Sequence, residues 1–287
     1  MQLLTVKHLG APRWGTRDVN GDIRLAPPGD RGPQTLQEFI EANSSLGATD
    51  TWEKLPPGSP DLMAPIPAPR RNIICLGLNY ADHAEESFRA KGKSPVIPEH
   101  PVVFTKATTS ASGPEDPITL DPTVTVQLDW EVELAVVIGR GGRHITESQA
   151  MRHVFGYMVL NDLSARDLQF RHRQFFLGKS LDGCCPMGPW ITTRDEIPDP
   201  HALRIACRVN GIEKQASNTA RMLFRIPAII ATLSHVMSLQ PGDIIATGTP
   251  AGVGFARTPP EFLKPGDVVE CEIEGLGCLR NRITEEP

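Results

Sequence analysis

The chain has 287 residues with 29 Lys and Arg against 34 Asp and Glu, a formal net charge of −5. That balance argues against nucleic acid or an anionic membrane as a partner. Hydrophobic residues make up 40% and charged residues 22%, ordinary for a soluble globular protein, and no apolar run reaches membrane-spanning length.

The N-terminus, Met1 to His8, turns polar before a signal-peptide core develops, so a cytoplasmic location is expected. A short strand at the start is followed by the turn Asn20-Gly21-Asp22 and a short helix over Thr35–Ser45. Residues 55–70 then concentrate Pro56, Pro57, Pro60, Pro65, Pro67 and Pro69. Such a run is extended and semi-rigid and suits a linker. The expected organisation is a small N-terminal domain with its linker over 1–69 and a catalytic domain over 70–287.

From Arg71 the character changes. Ile73 to Leu76 reads as a buried strand leading into a helix. Asp82 is the expected N-cap, Glu85 closes a capping box, and Gly92 stops the helix. On that helix His83 and Glu86 lie three apart and share a face. They form either a dyad able to deprotonate water or an ordinary surface pair. The polar segment 91–100 reads as a lid or a connector, and Pro101 to Lys106 as a further strand.

Asp129 to Gly139 reads as a strand rich in Val and Ile. Residues two apart on a strand share a face, so Glu131 and Glu133 stand side by side. Two carboxylates that close repel unless a cation lies between them, and a divalent ion with hard oxygen ligands meets that need. Asp162, after the apolar run Val154 to Leu160, is the candidate third ligand. The competing reading is a solvated strand face carrying both glutamates. Further on, Lys179 stands amid apolar and small residues, either a buried lysine with electrostatic work to do or an exposed turn residue. The dipeptide Asn210-Gly211 signals a hairpin, and Arg225 to Ser238 a helix with Pro227 in its first turn. Pro-Gly-Asp turns at 241–243 and 265–267 each launch a strand. The Gly-rich stretch Gly248–Gly254 between them is neither a dinucleotide fingerprint nor a P-loop. None of the six cysteines forms a C-x-x-C pair, so reduced thiols are expected. Strands outnumber helices without alternating with them, which points to a β-rich α+β fold and not a doubly wound sheet.

Five ordered markers carry a resemblance: Gly77-Leu78-Asn79-Tyr80-Ala81-Asp82-His83, Glu131-Val132-Glu133-Leu134, Asn161-Asp162-Leu163-Ser164-Ala165-Arg166-Asp167, Gly178-Lys179-Ser180-Leu181-Asp182, and Pro241-Gly242-Asp243 leading to Gly248–Gly254. From about Arg71 to Ile283 the chain resembles the fumarylacetoacetate hydrolase family. The resemblance implies a mixed β-sandwich roll and a homodimer. It implies that Glu131, Glu133 and Asp162 bind Mg²⁺, Mn²⁺ or Ca²⁺, and that His83 and Glu86 activate water beneath a lid over 84–100. Lys179 matches the lysine beside the reacting carbonyl, and Lys106, Arg166, Gln169 and Thr249 match substrate-contacting positions. The implied activity is metal-dependent hydrolysis of a C–C bond in an acylpyruvate of the kind met in aromatic catabolism. The alternatives are decarboxylation of an oxaloacetate-like 2-oxo acid, isomerisation of a hydroxydienoate, and a non-catalytic metabolite-binding protein.

Overall fold

The computed structural model describes residues 1–27, 32–43, 46–56, 58 and 60–285. Among these the chain is β-rich, as expected. A large mixed sheet joins the N-terminal strands to strands from the middle of the chain and to Ile244–Ala246, and a 5-stranded sheet formed largely by the C-terminal third packs against it.

The strand Val132–Ile138 lies at the centre. It pairs antiparallel with Val154–Asn161 on one side and with Ile244–Ala246 on the other. All seven of its residues are buried, which explains why its sequence is apolar at every position but Glu133 and does not alternate. Val132, Leu134, Val136 and Ile138 face the core between the two sheets. Ala135 and Val137 face a second core that also receives Trp14, Phe39 and Ile40. Glu133 shares the parity of Ala135, so it projects on the face away from the sandwich core.

Segment 1–69 joins the large sheet directly. Gln2–His8 pairs with Ala11–Arg17 and, through Gln2 and Leu3, with Thr192 and Ile191 of the strand Cys185–Thr193. The proline-rich stretch packs against this sheet: Ala64 and Ile66 are buried, the Thr5 hydroxyl donates to the Pro65 carbonyl at 2.8 Å, and Leu62–Met63 pairs with the first strand. Pro57 lies outside the described residues.

Several boundaries differ from expectation. The helix expected over Thr35–Ser45 runs Leu36–Glu41, with the Thr35 hydroxyl accepting from the Glu38 N–H; Ser45 lies outside the described residues. The helix expected from Asp82 runs Ala81–Ala90 with Tyr80 as N-cap and no side-chain cap. The Asp82 carboxylate instead accepts from the adjacent His83 N–H and pairs with Arg221. The strand expected over Asp129 to Gly139 is interrupted: Leu128–Asp129 is a short strand paired with Ser164–Ala165, the Trp130 N–H turns to the Asp129 carboxylate, and the long strand begins at Val132. The Asn210-Gly211 hairpin stands as expected: both residues have positive φ, 53° and 75°, as a two-residue type I′ turn requires. No helix among the described residues is long and apolar enough to cross a membrane.

Candidate metal centre and active site

Strand register assembles the three acids. Val132 pairs with Asn161, so the chain leaves the ladder at Asp162 directly opposite Glu131. The Asp162 N–H donates to the Glu131 carbonyl at 2.9 Å, and the Glu131 N–H donates to the Asn161 side chain at 3.0 Å. The result is three buried carboxylates, Glu131, Glu133 and Asp162, each with an oxygen within 4.8 Å of the others. Exposures of 5%, 0% and 0% exclude the solvated-face reading.

Bringing carboxylates out of water is costly unless each is paired. Lys179 bridges two of them, donating to Glu131 Oε2 at 2.7 Å and Asp162 Oδ2 at 2.6 Å. Lys106 donates to Asp162 Oδ1 at 2.7 Å and to the Leu163 carbonyl at 3.0 Å. Arg166 reaches Glu131 Oε1 at 2.6 Å and Asp129 Oδ2 at 2.8 Å. Burial pushes Glu131 up, but Lys179, Arg166 and His83 more than offset it and hold it well below the usual carboxylate range. Glu133 goes the other way. Burial, then the charges of Asp162 and Glu131, push it well above its ordinary value. It accepts one bond, from the Gly248 N–H at 2.7 Å, while its Oε1 is buried without a hydrogen-bond partner. Converging hard oxygens and an orphaned acceptor fit a divalent cation such as Mg²⁺, Mn²⁺ or Ca²⁺.

The dyad is also formed. His83 Nδ1 lies 3.0 Å from Glu86 Oε1, and Ser87 Oγ lies 3.5 Å from His83 Nε2. The Gly252 N–H donates to both Glu86 oxygens at 3.0 Å, so the Gly-rich stretch orients the acid. Gly252 has φ 107°, and a Cβ there would meet the Lys214 carbonyl at 2.1 Å. Close backbone approach is therefore the reason for glycine at this position.

His83, Glu131, Arg166, Gln169, Lys179 and Thr249 share the wall of one small cavity of about 60 Å³, with Lys91 and four phenylalanines. Lys106, matched above to a substrate-contacting position, is not on that wall; it is fully buried and supports Asp162 from within. Thr249 is on the wall, but its hydroxyl is engaged with the Val132 carbonyl and the Gln215 amide. Lys179 is 1% exposed in the short helix Phe176–Lys179, which decides between its two readings. A larger hollow of about 520 Å³ near Lys7 and Asp61 carries no such cluster of acids.

Three residues of this site went unread in the sequence. Asp129 accepts from Arg166, Gly254 N–H and Phe255 N–H and so ties the Gly-rich stretch to the arginine. Ser87 and Lys91 follow His83 at four-residue intervals, a spacing visible in the sequence once the helix is placed.

Residues 72–284 match the family model for the fumarylacetoacetate (FAA) hydrolase C-terminal region. The chain belongs to the fumarylacetoacetate hydrolase family. Similar members of the family include the oxaloacetate tautomerase YisK of Bacillus subtilis, 51% identical over 222 residues, covering 77% of this chain and 72% of that protein. A human mitochondrial oxaloacetate tautomerase is 42% identical over 288 residues, covering 96% and 88%. Among solved structures, a fumarylacetoacetate hydrolase from Exiguobacterium antarcticum superposes with TM-score 0.88 at 42% identity over the whole of both chains. A 2-hydroxyhepta-2,4-diene-1,7-dioate isomerase from Mycobacterium marinum gives 0.78 at 31%, covering 100% of this chain and 99% of that one.

Proposed function

We propose that the chain is a metal-dependent enzyme that enolises a small 2-oxo dicarboxylic acid of the oxaloacetate type, interconverting its keto and enol forms. The similarity to two proteins named oxaloacetate tautomerase, at 51% and 42% identity, carries this reading. It moves enolisation ahead of the C–C hydrolysis expected from the sequence. Decarboxylation of the same substrate and isomerisation of a hydroxydienoate start from the same enolate and belong to the same group of readings.

Glu131, Glu133 and Asp162 would hold the metal, which supplies charge to orient the substrate carboxylate and polarise its 2-oxo group. The His83–Glu86 dyad takes the proton from C3, with Gly252 holding Glu86 against the imidazole. Lys179, fixed by two carboxylates, presents its ammonium to the oxygen on which charge develops. The phenylalanine wall limits water in the cavity, which favours return of the proton to substrate over hydrolysis. Hydrolysis of an acylpyruvate is the second reading. The same dyad would then activate water, and the likeness to the Exiguobacterium antarcticum hydrolase favours it.

The test is direct. Metal-loaded protein is given oxaloacetate enol, whose ultraviolet absorbance decays on ketonisation, and separately an acylpyruvate. Ketonisation well above the buffer rate, with slow acylpyruvate cleavage, is the expected result. Rapid cleavage without catalysed ketonisation would reverse the order of the two readings.

A further inference from the structure

The wall of the cavity carries three long cations, and they are not equivalent. Arg166 and Lys179 each contact two buried carboxylates. Lys91, exposed where Arg166 and Lys179 are buried, has no carboxylate partner among the described residues. Its ammonium lies over the ring of Phe170, 4.5 Å from the centroid, and 5.8 Å from that of Phe255. Phe255 is shared, since the Arg166 guanidinium sits 4.5 Å from the same ring. Burial, and then the like charges of Arg166 and Lys93, lower the affinity of Lys91 for its proton, with Glu131 opposing them. Cation–π contact holds the ammonium in place without neutralising it.

Its position is set by the helix. Lys91 is the C-cap of Ala81–Ala90, its N–H donating to the Phe88 carbonyl. A cation suits that end of a helix. His83, Ser87 and Lys91 stand four residues apart and follow one face, so their Cα atoms span about 12 Å. Lysine side chains lean back toward the preceding turn, and His83 and Lys91 line the same cavity. Of the three acids Glu131 is on that wall, and Lys91, which is exposed, stands on its solvent side.

We propose that Lys91 binds the distal carboxylate of the substrate and so selects a dicarboxylic 2-oxo acid over its monocarboxylic isostere. The proposal rests on the enolisation reading for the identity of the reaction, and on the unpaired ammonium for the second negative charge. The near carboxylate and 2-oxo group would be held through the cation at the acid cluster, the reacting C3 lies by His83, and the far carboxylate meets Lys91. That carboxylate supplies the neutralisation which the protein gives Arg166 and Lys179 but withholds from Lys91.

The experiment compares the parent with Lys91→Gln, both loaded with Mn²⁺. Calorimetric titration uses malate and 2-hydroxybutanoate, which cannot enolise and differ in carboxylate against methyl at the far end. A charge-assisted hydrogen bond accounts for about 10–100-fold in affinity. Lys91→Gln is therefore expected to weaken malate by that factor and leave 2-hydroxybutanoate within about twofold. In turnover the variant should raise KM for oxaloacetate correspondingly, with kcat within about threefold. Equal losses on both ligands, or no loss on malate, would overturn the role. Should the parent prefer malate through Lys91 yet fail to ketonise oxaloacetate, the enolisation reading falls and the carboxylate site stands. Should oxaloacetate turn over while the parent binds both ligands alike, the Lys91 proposal alone falls.

Discussion

Glu133→Gln separates a metal site from a cluster of internal ion pairs. In the metal-free chain Glu133 has no cation of its own: it accepts one backbone N–H, and no salt bridge reaches it among the described residues. Its carboxylate faces Glu131 and Asp162, with oxygens within 4.8 Å. Two unit charges that far apart repel by about 3.5 kcal/mol at an effective dielectric of 20. The amide keeps the Gly248 bond through its oxygen and points its NH₂ toward the neighbouring carboxylates, removing the repulsion and giving the orphaned position a donor. The metal-free variant should therefore melt at or above the parent. Metal reverses the order. At 100 times its dissociation constant a ligand adds about 2.7 kcal/mol of stability, which for a chain of this size is a rise of roughly 5–10 °C. A 100-fold weaker site at the same concentration retains about 0.4 kcal/mol, or roughly 1 °C. The assay is thermal melting in EDTA and in Mn²⁺ for both proteins. A metal-free variant that melts several degrees below the parent, or an undiminished rise with Mn²⁺, would refute the assignment of Glu133 as a ligand.

Two further outcomes are expected. Lys179→Ala should keep the Mn²⁺-dependent rise in melting temperature but lose about 10²–10³ in kcat for ketonisation, the usual effect of removing a preorganised donor; turnover within about threefold of the parent would leave Lys179 only the task of neutralising Glu131 and Asp162. Burial, with Arg225 adding to it and Asp199 opposing, lowers the His201 pKa below its ordinary 6.5, and His201 Nε2 accepts from the Ile226 N–H. The native state thus binds fewer protons than the unfolded chain, and stability is lost as pH falls below about 6.5 through the lower native value. His201→Gln should flatten that decline in urea unfolding between pH 7.5 and 5, and equal slopes for the two proteins would count against it.

What could be read from the sequence, and what could not, divides along contact distance. The parity of Glu131 and Glu133, the i,i+3 spacing of His83 and Glu86, and the Asn210-Gly211 turn are local, and local geometry follows from residue type and period. Asp129 is in a strand as expected, but the break after it at Trp130 and Glu131 was not legible, because the Asp129 carboxylate that takes the Trp130 N–H is also claimed by the Gly254 N–H, 125 positions away. Lys106 was matched to a substrate contact, but its ammonium goes to Asp162, 56 positions away. The N-terminal strands showed no sign of their pairing with Thr192 and Ile191, because a strand edge carries no label for its partner.

The charges of the site form one argument. Asp129, Glu131, Glu133 and Asp162 are all buried, and so are Lys106, Arg166 and Lys179. Arg166 serves Asp129 and Glu131, Lys179 serves Glu131 and Asp162, and Lys106 serves Asp162. Every acid but Glu133 has a fixed cation. Had a further lysine paired with Glu133, the cluster would be closed and more stable without metal, and a divalent ion would have to displace it. Leaving Glu133 unpaired costs stability in the metal-free chain, through burial and the charges of its two neighbours. That cost disappears only when charge arrives from outside. Lys91, on the wall of the cavity that Glu131 lines, is a cation without a carboxylate partner among the described residues. Glu133, a buried acid without a cation, and this lysine are the charge pattern on which the proposed divalent metal and two-ended carboxylate ligand rest.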